Sequence, residues 1–250
     1  MESFYDKVAK QFGGYDLSNG EPKHTSMYSN GDPEEIFREK ILELAEPNCV
    51  AMDIGCGDGT FTFSLAGEFK KLVGLDSSKE LMHIANQKKS ESNFDKVEFV
   101  FGDAENTPFV NESFDMIFNR RGPSFYHEYA RLLRVGGYYI EIGIGEKDAM
   151  ELKKTFGRGQ NYGAWNNSRL DQDKEKFESL GVNVIFARNY TYSESYLSKD
   201  EFELFLQRVP IFEDFDLTND KKNLDEYFLK YRDGSEVNLD RHRVVYVVKK

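Results

Sequence analysis

The chain of 250 residues has few cysteines and fewer basic than acidic side chains. Its two cysteines, Cys49 and Cys56, lie close together with no further partner, which argues against a disulfide framework or a metal site and for reduced thiols. The 33 Lys and Arg against 44 Asp and Glu give a formal net charge of -11, which argues against a broad surface for RNA or DNA. Local basic patches remain open.

Long apolar runs are also missing. No run approaches the ~20 apolar residues of a membrane span. The first six residues, Met1–Asp6, lack the basic region and the apolar stretch of a secretory signal. We therefore expect a cytoplasmic protein without a membrane segment. At 250 residues the chain can bury a sizeable core, and one α/β domain with additions accounts for its length.

The most informative feature of the chain is a glycine-rich turn between an apolar run and a helix. The run at residues 50–54 is typical of a buried strand, and Gly55, Gly57 and Gly59 allow a tight turn with close backbone approach. A second apolar run ends at Asp76, whose carboxylate can accept both hydroxyls of a ribose. This arrangement indicates a site for a nucleotide-like ligand.

The spacing of the glycines separates two classes of cofactor. A dinucleotide site needs G-x-G-x-x-G, but counting from Gly55 and Gly57 places Thr60 at the third position, and Gly59 falls one residue early. Asp53 puts a carboxylate where a dinucleotide site holds a pyrophosphate, which is unfavourable for a polyanion and suitable for a ligand with an ammonium group. S-adenosylmethionine fits, because it carries an amine, a sulfonium, a ribose and an adenine and no phosphate.

Five ordered blocks between residues 48 and 145 carry a family resemblance. They are residues 53–59 (DIGCGDG), 73–78 (VGLDSS), 101–105 (FGDAE), 113–118 (SFDMIF) and 128–140 (EYARLLRVGGYYI). In order and spacing they resemble the class I S-adenosylmethionine-dependent methyltransferases, in particular the type 11 branch of small cytosolic enzymes. The resemblance covers about 100 residues, and five ordered blocks are far more specific than one glycine turn.

The alternation of the predicted elements favours an α/β fold with a parallel sheet. The resemblance implies a Rossmann-like, seven-stranded, mostly parallel sheet with helices on both faces and an antiparallel last strand. The patterns predict strands near 49–54, 71–76, 97–101, 114–119, 137–143, 182–190 and 243–248 and helices near 33–45, 60–68, 78–90, 124–134, 169–180 and 222–231. We expect an N-terminal helical cap or lid at 1–47, and a methyltransferase domain at 48–250 with a helical insert at about 192–238 before the last strand.

The cofactor side of the site is predicted at the carboxyl ends of the strands. Asp53 would orient the amine and Asp76 would bind ribose. The resemblance implies that Asp103 accepts from the adenine amino group, that the Ala104 amide bonds a ring nitrogen, and that Asn119 faces the amine and the reactive methyl. The complete candidate set is Asp53, Gly55, Cys56, Gly57, Gly59, Asp76, Ser77, Asp103, Ala104 and Asn119.

The acceptor side is predicted at residues 119–123, Asn-Arg-Arg-Gly-Pro. Methyltransferases of adenine N6 and of glutamine have two prolines and an aromatic residue after the Asn or Asp, and this chain departs from that pattern. Arg120 and Arg121 suggest capture of an anionic group of the acceptor, or else they pair with acidic residues such as Glu128. Further acceptor candidates are Tyr15, Tyr162 and Trp165, which with Tyr5 and Tyr28 could line an apolar pocket or only hold the cap onto the sheet. His24 is a candidate too, with a surface or helix-packing histidine as the alternative.

No side chain stands out as a general base. The sulfonium is already a strong electrophile, so the protein has to hold a nucleophile in line with the methyl group, at about 3 Å, and exclude water. We expect methyl transfer to a small-molecule acceptor, with no metal. Two alternatives stay open: methylation of ribosomal or transfer RNA, and a cofactor-binding protein without turnover. The sequence specifies neither the acceptor nor the oligomeric state.

Overall fold

The computed structural model describes residues 3–14, 22–92 and 94–250. Its strands are β1 (His24–Tyr28), β2 (Val50–Ile54), β3 (Lys71–Asp76), β4 (Val97–Phe101), β5 (Phe114–Arg120), β6 (Leu133–Ile144), β7 (Asn183–Tyr196), β8 (Arg232–Asp233) and β9 (Glu236–Lys249). Its helices are α1 (Phe4–Phe12), α2 (Pro33–Leu44), α3 (Thr60–Leu65, followed by a 3-10 turn at Ala66–Glu68), α4 (Lys79–Ser90), α5 (Tyr126–Leu132), α6 (Met150–Phe156), α7 (Arg169–Ser179), α8 (Lys199–Arg208) and α9 (Lys221–Tyr231).

The strands of the described residues form one sheet in the order β1-β7-β9-β6-β5-β2-β3-β4, and the short β8 pairs with β9. Strands β2 to β6 run parallel to their neighbours among themselves. β9 lies antiparallel between β6 and β7. The Rossmann-like α/β fold with an antiparallel last strand is therefore confirmed. In this topology β2 and β5 are neighbours, and the strand order reverses between them. In open α/β sheets, ligands bind at such a reversal, outside the carboxyl ends of the strands.

Helices cover both faces of the sheet. Ala51 packs with Phe37 and Ile41 of α2 in one apolar cluster. Its neighbour Met52 packs with Tyr129 of α5 in another cluster on the opposite face, as the two-residue period of a strand requires. Burying a large apolar side chain stabilises the fold by roughly 1.5–3 kcal/mol, so both faces contribute to holding the strand ends in place.

Helix α2 begins and ends close to where its sequence signals predict. Asp32 is the N-cap, and its carboxylate accepts the Glu34 N–H at 2.9 Å. Pro33 occupies the first turn, where its missing N–H costs nothing. Because α2 lies against the face that carries Ala51, its first turn, including Glu34, lies near the carboxyl ends of the central strands.

The last strands are longer than predicted. β7 continues to Tyr196 and β9 starts at Glu236, so residues 197–235 lie between them, rather than 192–238. The extensions carry buried charges, such as Arg241 of β9, which donates to Glu194 of β7 at 2.6 Å. Buried ion pairs interrupt the apolar alternation that identifies a strand. The proposed division of the chain at residue 47 stays a prediction.

Three elements were not predicted at all, and the two-residue β8 is one of them. β1 pairs with the extension of β7, from His24 opposite Tyr196 to Tyr28 opposite Tyr192. Helix α6 packs Leu152 into an apolar cluster with Phe202 of α8. No helix among the described residues combines the length and apolar character that crossing a bilayer requires.

Candidate functional site

A cavity of about 420 Å³ lies at the carboxyl ends of β2, β3, β4 and β5. Its volume falls in the range of small-molecule sites. Of the predicted cofactor residues, the cavity is lined by Asp53, Gly55, Cys56 and Gly57, by Asp76 and Ser77, and by Asp103 and Ala104. Arg120 and Arg121 also line it. The predicted cofactor and acceptor sides therefore meet at one cavity.

Asp76 joins the glycine-rich turn to helix α4. Its Oδ2 accepts the Gly57 N–H at 2.9 Å, and its Oδ1 accepts the Ser78 N–H at 2.8 Å. Burial raises the pKa of this carboxyl, against the lowering effect of its backbone donors. Each carboxylate oxygen has a second lone pair, so Asp76 can still accept hydroxyl groups of a ligand in the cavity.

Asp53 is buried, with 1% of its surface exposed, and the Thr62 hydroxyl donates to its Oδ2 at 2.7 Å. Burial raises the pKa of Asp53 to about 7, although the Thr62 hydrogen bond and the Arg120 charge work in the opposite direction. Around neutral pH the carboxyl is therefore partly protonated. A cationic group bound in the cavity would favour its ionised form.

Asp103 lies in the turn that follows β4. Its Oδ1 accepts the Glu105 N–H at 2.9 Å, which leaves its other oxygen available at the cavity. Ala104 is buried beside it, with 8% of its surface exposed. The pair offers an acceptor and an apolar contact next to each other, the combination that suits the edge and face of a purine.

Of the residues of the glycine-rich turn, Gly59 has other surroundings than expected, whereas Cys56 lines the cavity as predicted. Gly59 does not line the cavity: it is the N-cap of α3 with φ +79°, and a Cβ there would lie 2.5 Å from Phe99 Cζ. Burial and the charges of Asp53 and Asp76 raise the pKa of Cys56 well above its usual value. Its thiol therefore stays protonated at neutral pH and is unsuited to act as a nucleophile.

Asn119 shapes the segment 119–123, which we call the arginine turn. Its side chain is fully buried and does not line the cavity. Its Oδ1 accepts the Gly122 N–H at 2.7 Å, and its Nδ2 donates to the Pro123 carbonyl at 2.7 Å and to the Tyr139 hydroxyl at 3.2 Å. The side chain therefore holds the arginine turn, and the contact of Asn119 with a ligand stays a prediction.

The two arginines share one carboxylate, Glu34 of α2. Arg120 Nε donates to Glu34 Oε2 at 2.8 Å, and Arg121 NH1 lies 3.2 Å from Glu34 Oε1. Burial would raise the pKa of Glu34, but the charges of Arg121 and Arg120 outweigh it and bring the pKa to about 2. The pairing with a carboxylate that the sequence offered as the alternative is therefore present. Its partner is not Glu128, the example given, which accepts from Arg131 at 2.7 Å.

The other acceptor candidates lie away from the cavity lining, and Tyr15 lies outside the described residues. His24 stacks on Tyr196 at the edge of the sheet, with ring centroids 5.1 Å apart. Tyr162 and Trp165 contact each other edge to face in the loop between α6 and α7. This loop is tied to the helical insert, because Arg158 donates to both carboxylate oxygens of Asp220 at 2.8 Å.

Two further residues contribute to the site: Tyr5, named from the sequence only as one of several tyrosines that could line a pocket, and Glu34, which was not assigned. Tyr5 of α1 lines the cavity. Its helix is docked by Asp6, which accepts from the Ser78 hydroxyl at 2.5 Å at the start of α4. Glu34, on α2, was visible only as a first-turn acidic residue. The sequence signals of α2 predict where this helix begins, but not that Glu34 of its first turn reaches the site.

The comparisons with known proteins agree with this arrangement. A family model described as a methyltransferase domain matches residues 45–185. The biotin biosynthesis bifunctional protein BioHC of Cellvibrio japonicus is 33% identical over 137 residues, covering 52% of this chain and 24% of that protein. The demethylmenaquinone methyltransferase of Bacillus licheniformis is 30% identical over 132 residues, covering 48% of this chain and 56% of that protein.

The match spans about a quarter to about half of the length of these curated relatives. Among solved structures, protein BH2331 of Bacillus halodurans C-125 superposes with a TM-score of 0.65 at 19% identity, covering 88% of this chain and 99% of that chain. At that identity the likeness shows the fold alone. The finer resemblance to the type 11 branch stays a prediction. The family model covers more than half of the chain, which therefore belongs to the methyltransferase-domain family of class I S-adenosylmethionine-dependent methyltransferases.

Proposed function

We propose that this protein transfers a methyl group from S-adenosylmethionine to a small-molecule acceptor. The observation that carries the proposal is the meeting of Asp53, Asp76 and Asp103 around one cavity beside a glycine-rich turn. Carboxylates suit an amine and hydroxyl groups and disfavour a phosphate. The hydrogen-bond acceptors that line the cavity therefore fit the adenosyl cofactor of the family and do not fit a dinucleotide.

Each carboxylate has a distinct role in the proposal. Asp76 accepts the ribose hydroxyls with the lone pairs left by its backbone donors. Asp103 and Ala104 hold the adenine. Asp53 faces the amine, whose positive charge offsets the cost of ionising a buried carboxyl. The carboxylate wall, which we define as Asp53, Asp76 and Asp103, thereby binds the cofactor through groups that the sequence motifs already contain.

Held by the carboxylate wall, S-adenosylmethionine would supply an electrophilic methyl group to a lone pair of the acceptor, with S-adenosylhomocysteine as the leaving group and any acceptor proton passing to solvent. The residues of the chain orient the acceptor and exclude water. Phe61, Leu81 and Tyr5 supply the apolar part of the cavity. The arginine turn supplies the wall on the acceptor side. Positioning of this kind accounts for a large part of the rate without a general base.

A small acceptor is favoured over RNA by the relatives of the chain and by its charge. The relative from Bacillus licheniformis is a demethylmenaquinone methyltransferase, which is named for a small-molecule acceptor. The net charge of -11 is unfavourable for docking a polyanion. We also propose a cytoplasmic location, a proposal supported by the two unpaired cysteines.

Two measurements test the proposal in sequence. Calorimetry with S-adenosylhomocysteine, the demethylated product, should show saturable binding with a stoichiometry of one. In the second measurement, the protein is incubated with methyl-labelled cofactor and a cell extract that has been separated into metabolites and RNA. The label should enter the metabolite fraction. Absence of cofactor binding would overturn the proposal. Label confined to RNA would replace the small acceptor by the RNA alternative, and binding without any transfer would favour a protein without turnover.

A further inference from the structure

The two arginines of the arginine turn have different surroundings. Arg120 is engaged by a 2.8 Å hydrogen bond to Glu34, and its guanidinium lies over the Phe61 ring, 5.1 Å from the centroid. Its charge also acts on Asp53. Arg121 has, within the described chain, a single ion pair to Glu34 at 3.2 Å and no side-chain hydrogen bond of good geometry. Most of the donors of its guanidinium fork are therefore unused.

The backbone holds Arg121 in an uncommon conformation. Its φ is +61°, in the left-handed region that residues with a side chain rarely adopt. Its N–H donates to the Ile142 carbonyl at 2.8 Å, and the following Gly122 is fixed by Asn119. Such strain costs on the order of 1–3 kcal/mol and persists only where the surroundings enforce it, typically at ligand sites. Here it directs residue 121 to the cavity.

The carboxylate opposite Arg121 is poorly satisfied. Glu34 Oε1 is a buried atom without a hydrogen-bond partner in the described part of the chain. Three guanidinium charges, those of Arg121, Arg120 and Arg243, act on Glu34. Arg243 is itself 1% exposed, and its Nε has no hydrogen-bond partner among the described residues. The single carboxylate of Glu34 thus faces several buried or half-buried cations. A second anion at this place would offset the positive charge that Glu34 leaves uncompensated.

We propose that Arg121 binds an oxyanionic group of the methyl acceptor, a carboxylate or a phosphate, and that Glu34 holds the place of this group when no acceptor is bound. The guanidinium fork matches two oxygens of either group, which the single contact to Glu34 does not provide. Arg120 is a positioning residue, kept in place by Glu34 and Phe61. The inference rests on the proposed function, since it names the substrate class of that site.

The test uses the full chain saturated with S-adenosylhomocysteine and three fragment probes: benzoate, phenyl phosphate and the neutral benzamide. Titrations followed by protein NMR give a dissociation constant for each probe. Benzoate or phenyl phosphate should bind at least tenfold more tightly than benzamide, and the stronger of the two identifies the preferred oxyanion. Equal binding of the three probes, or no saturable binding by either anion, would overturn the inference.

Variants separate a direct contact from a general effect of charge. Arg121→Gln should abolish the preference for anions, and Arg121→Lys should reduce it several-fold, because lysine keeps the charge and loses the fork. Glu34→Gln should tighten anion binding several-fold by removing the competing carboxylate. Arg134→Lys is the matched control, since Arg134 pairs with Asp115 at the other end of the sheet and should change nothing. Preference that survives in Arg121→Gln contradicts the inference.

Cofactor affinity, measured on the same samples, keeps the two proposals apart. If S-adenosylhomocysteine fails to bind the native chain, the proposed function fails. If it binds and Arg121 has no influence on the probes, only the anionic acceptor fails.

Discussion

The carboxylate wall and the arginine turn face each other across one cavity, and they are built in different ways. Every carboxylate of the wall is held by a partner close in sequence, at most 19 residues away, as between Asp76 and Gly57. The arginine turn depends on Glu34, which is 86 residues from Arg120. The wall is therefore a local motif, whereas the charge of the turn is set by the tertiary structure.

The difference in construction matches a difference in task. A shared cofactor needs the same acceptors in every member of a family, and local turns reproduce them reliably. An acceptor differs between enzymes, so its contacts come from variable residues on a common scaffold. Here the chain replaces the prolines of the adenine and glutamine enzymes with two arginines, and then moderates their charge with a carboxylate from α2.

The largest effect is expected for Asn119, whose buried side chain holds the arginine turn. Asn119→Ala leaves the Gly122 N–H without its partner and opens a gap beside Tyr139. It also removes one of the two donors to the Pro123 carbonyl, which keeps the Tyr129 hydroxyl at 2.6 Å. Losing several buried hydrogen bonds should lower the free energy of unfolding by about 2–4 kcal/mol. Urea unfolding measures the change.

Asn86→Ala is the control for that variant, because Asn86 is exposed on α4 and bonds only its own helix at Met82. Its effect should stay within about 0.5 kcal/mol. Equal effects of the two substitutions would mean that Asn119 does not support the turn. If Asn119→Ala lowers cofactor affinity as well as stability, the arginine turn and the carboxylate wall are structurally coupled.

The next effect concerns the carboxylate wall alone. Asp76→Ala removes the acceptor for the ribose hydroxyls and should cost about 1.5–3 kcal/mol of S-adenosylhomocysteine affinity, or roughly tenfold to more than 100-fold. Asp76 also accepts hydrogen bonds from the Gly57 and Ser78 N–H groups, so the substitution can also disturb the glycine-rich turn. That structural effect has to be distinguished from the loss of the ribose contact. The 2′,3′-dideoxy analogue of the ligand makes that separation in calorimetry. The substitution should scarcely affect its affinity, and an equal loss for both ligands would remove the ribose contact.

Sequence reasoning was successful where the structure is local. The parallel strands, the first glycine turn and the strand-end positions of Asp53, Asp76 and Asp103 follow from spacing and turn chemistry, whereas the antiparallel last strand was implied by the family resemblance. The pairing of Glu34 with both arginines does not, because a first-turn glutamate on a helix gives no sign of its distant partner. The extension of β7 and the addition of β1 were hidden for a related reason: buried ion pairs such as Glu194 with Arg241 read as polar surface in a sequence.

The smallest effect is a dependence of cofactor affinity on pH. Asp53 has a pKa raised by burial to about 7, so protonation below that pH removes the charge that faces the amine. Affinity for S-adenosylhomocysteine should fall by at most about tenfold per pH unit between pH 7 and 6. Asp53→Asn should remove this slope. A native slope that the variant retains would assign the titration to another group.

The same group makes an independent prediction for stability. The folded-state pKa of Asp53 lies above its ordinary value of 3.8, so the folded protein binds this proton more tightly than the unfolded chain does. The contribution of Asp53 to stability is therefore present below about pH 4 and is lost as the pH rises through about 7. Asp53→Asn should raise the melting temperature more at pH 8 than at pH 5.

The most direct measurement is the structure of the protein with S-adenosylhomocysteine bound. The account predicts both ribose hydroxyls within about 3 Å of the Asp76 carboxylate, the adenine at Asp103 and Ala104, the amine toward Asp53, and the sulfur directed toward the arginine turn. A ligand bound outside this cavity, or bound with its adenine at the arginine turn, would contradict it.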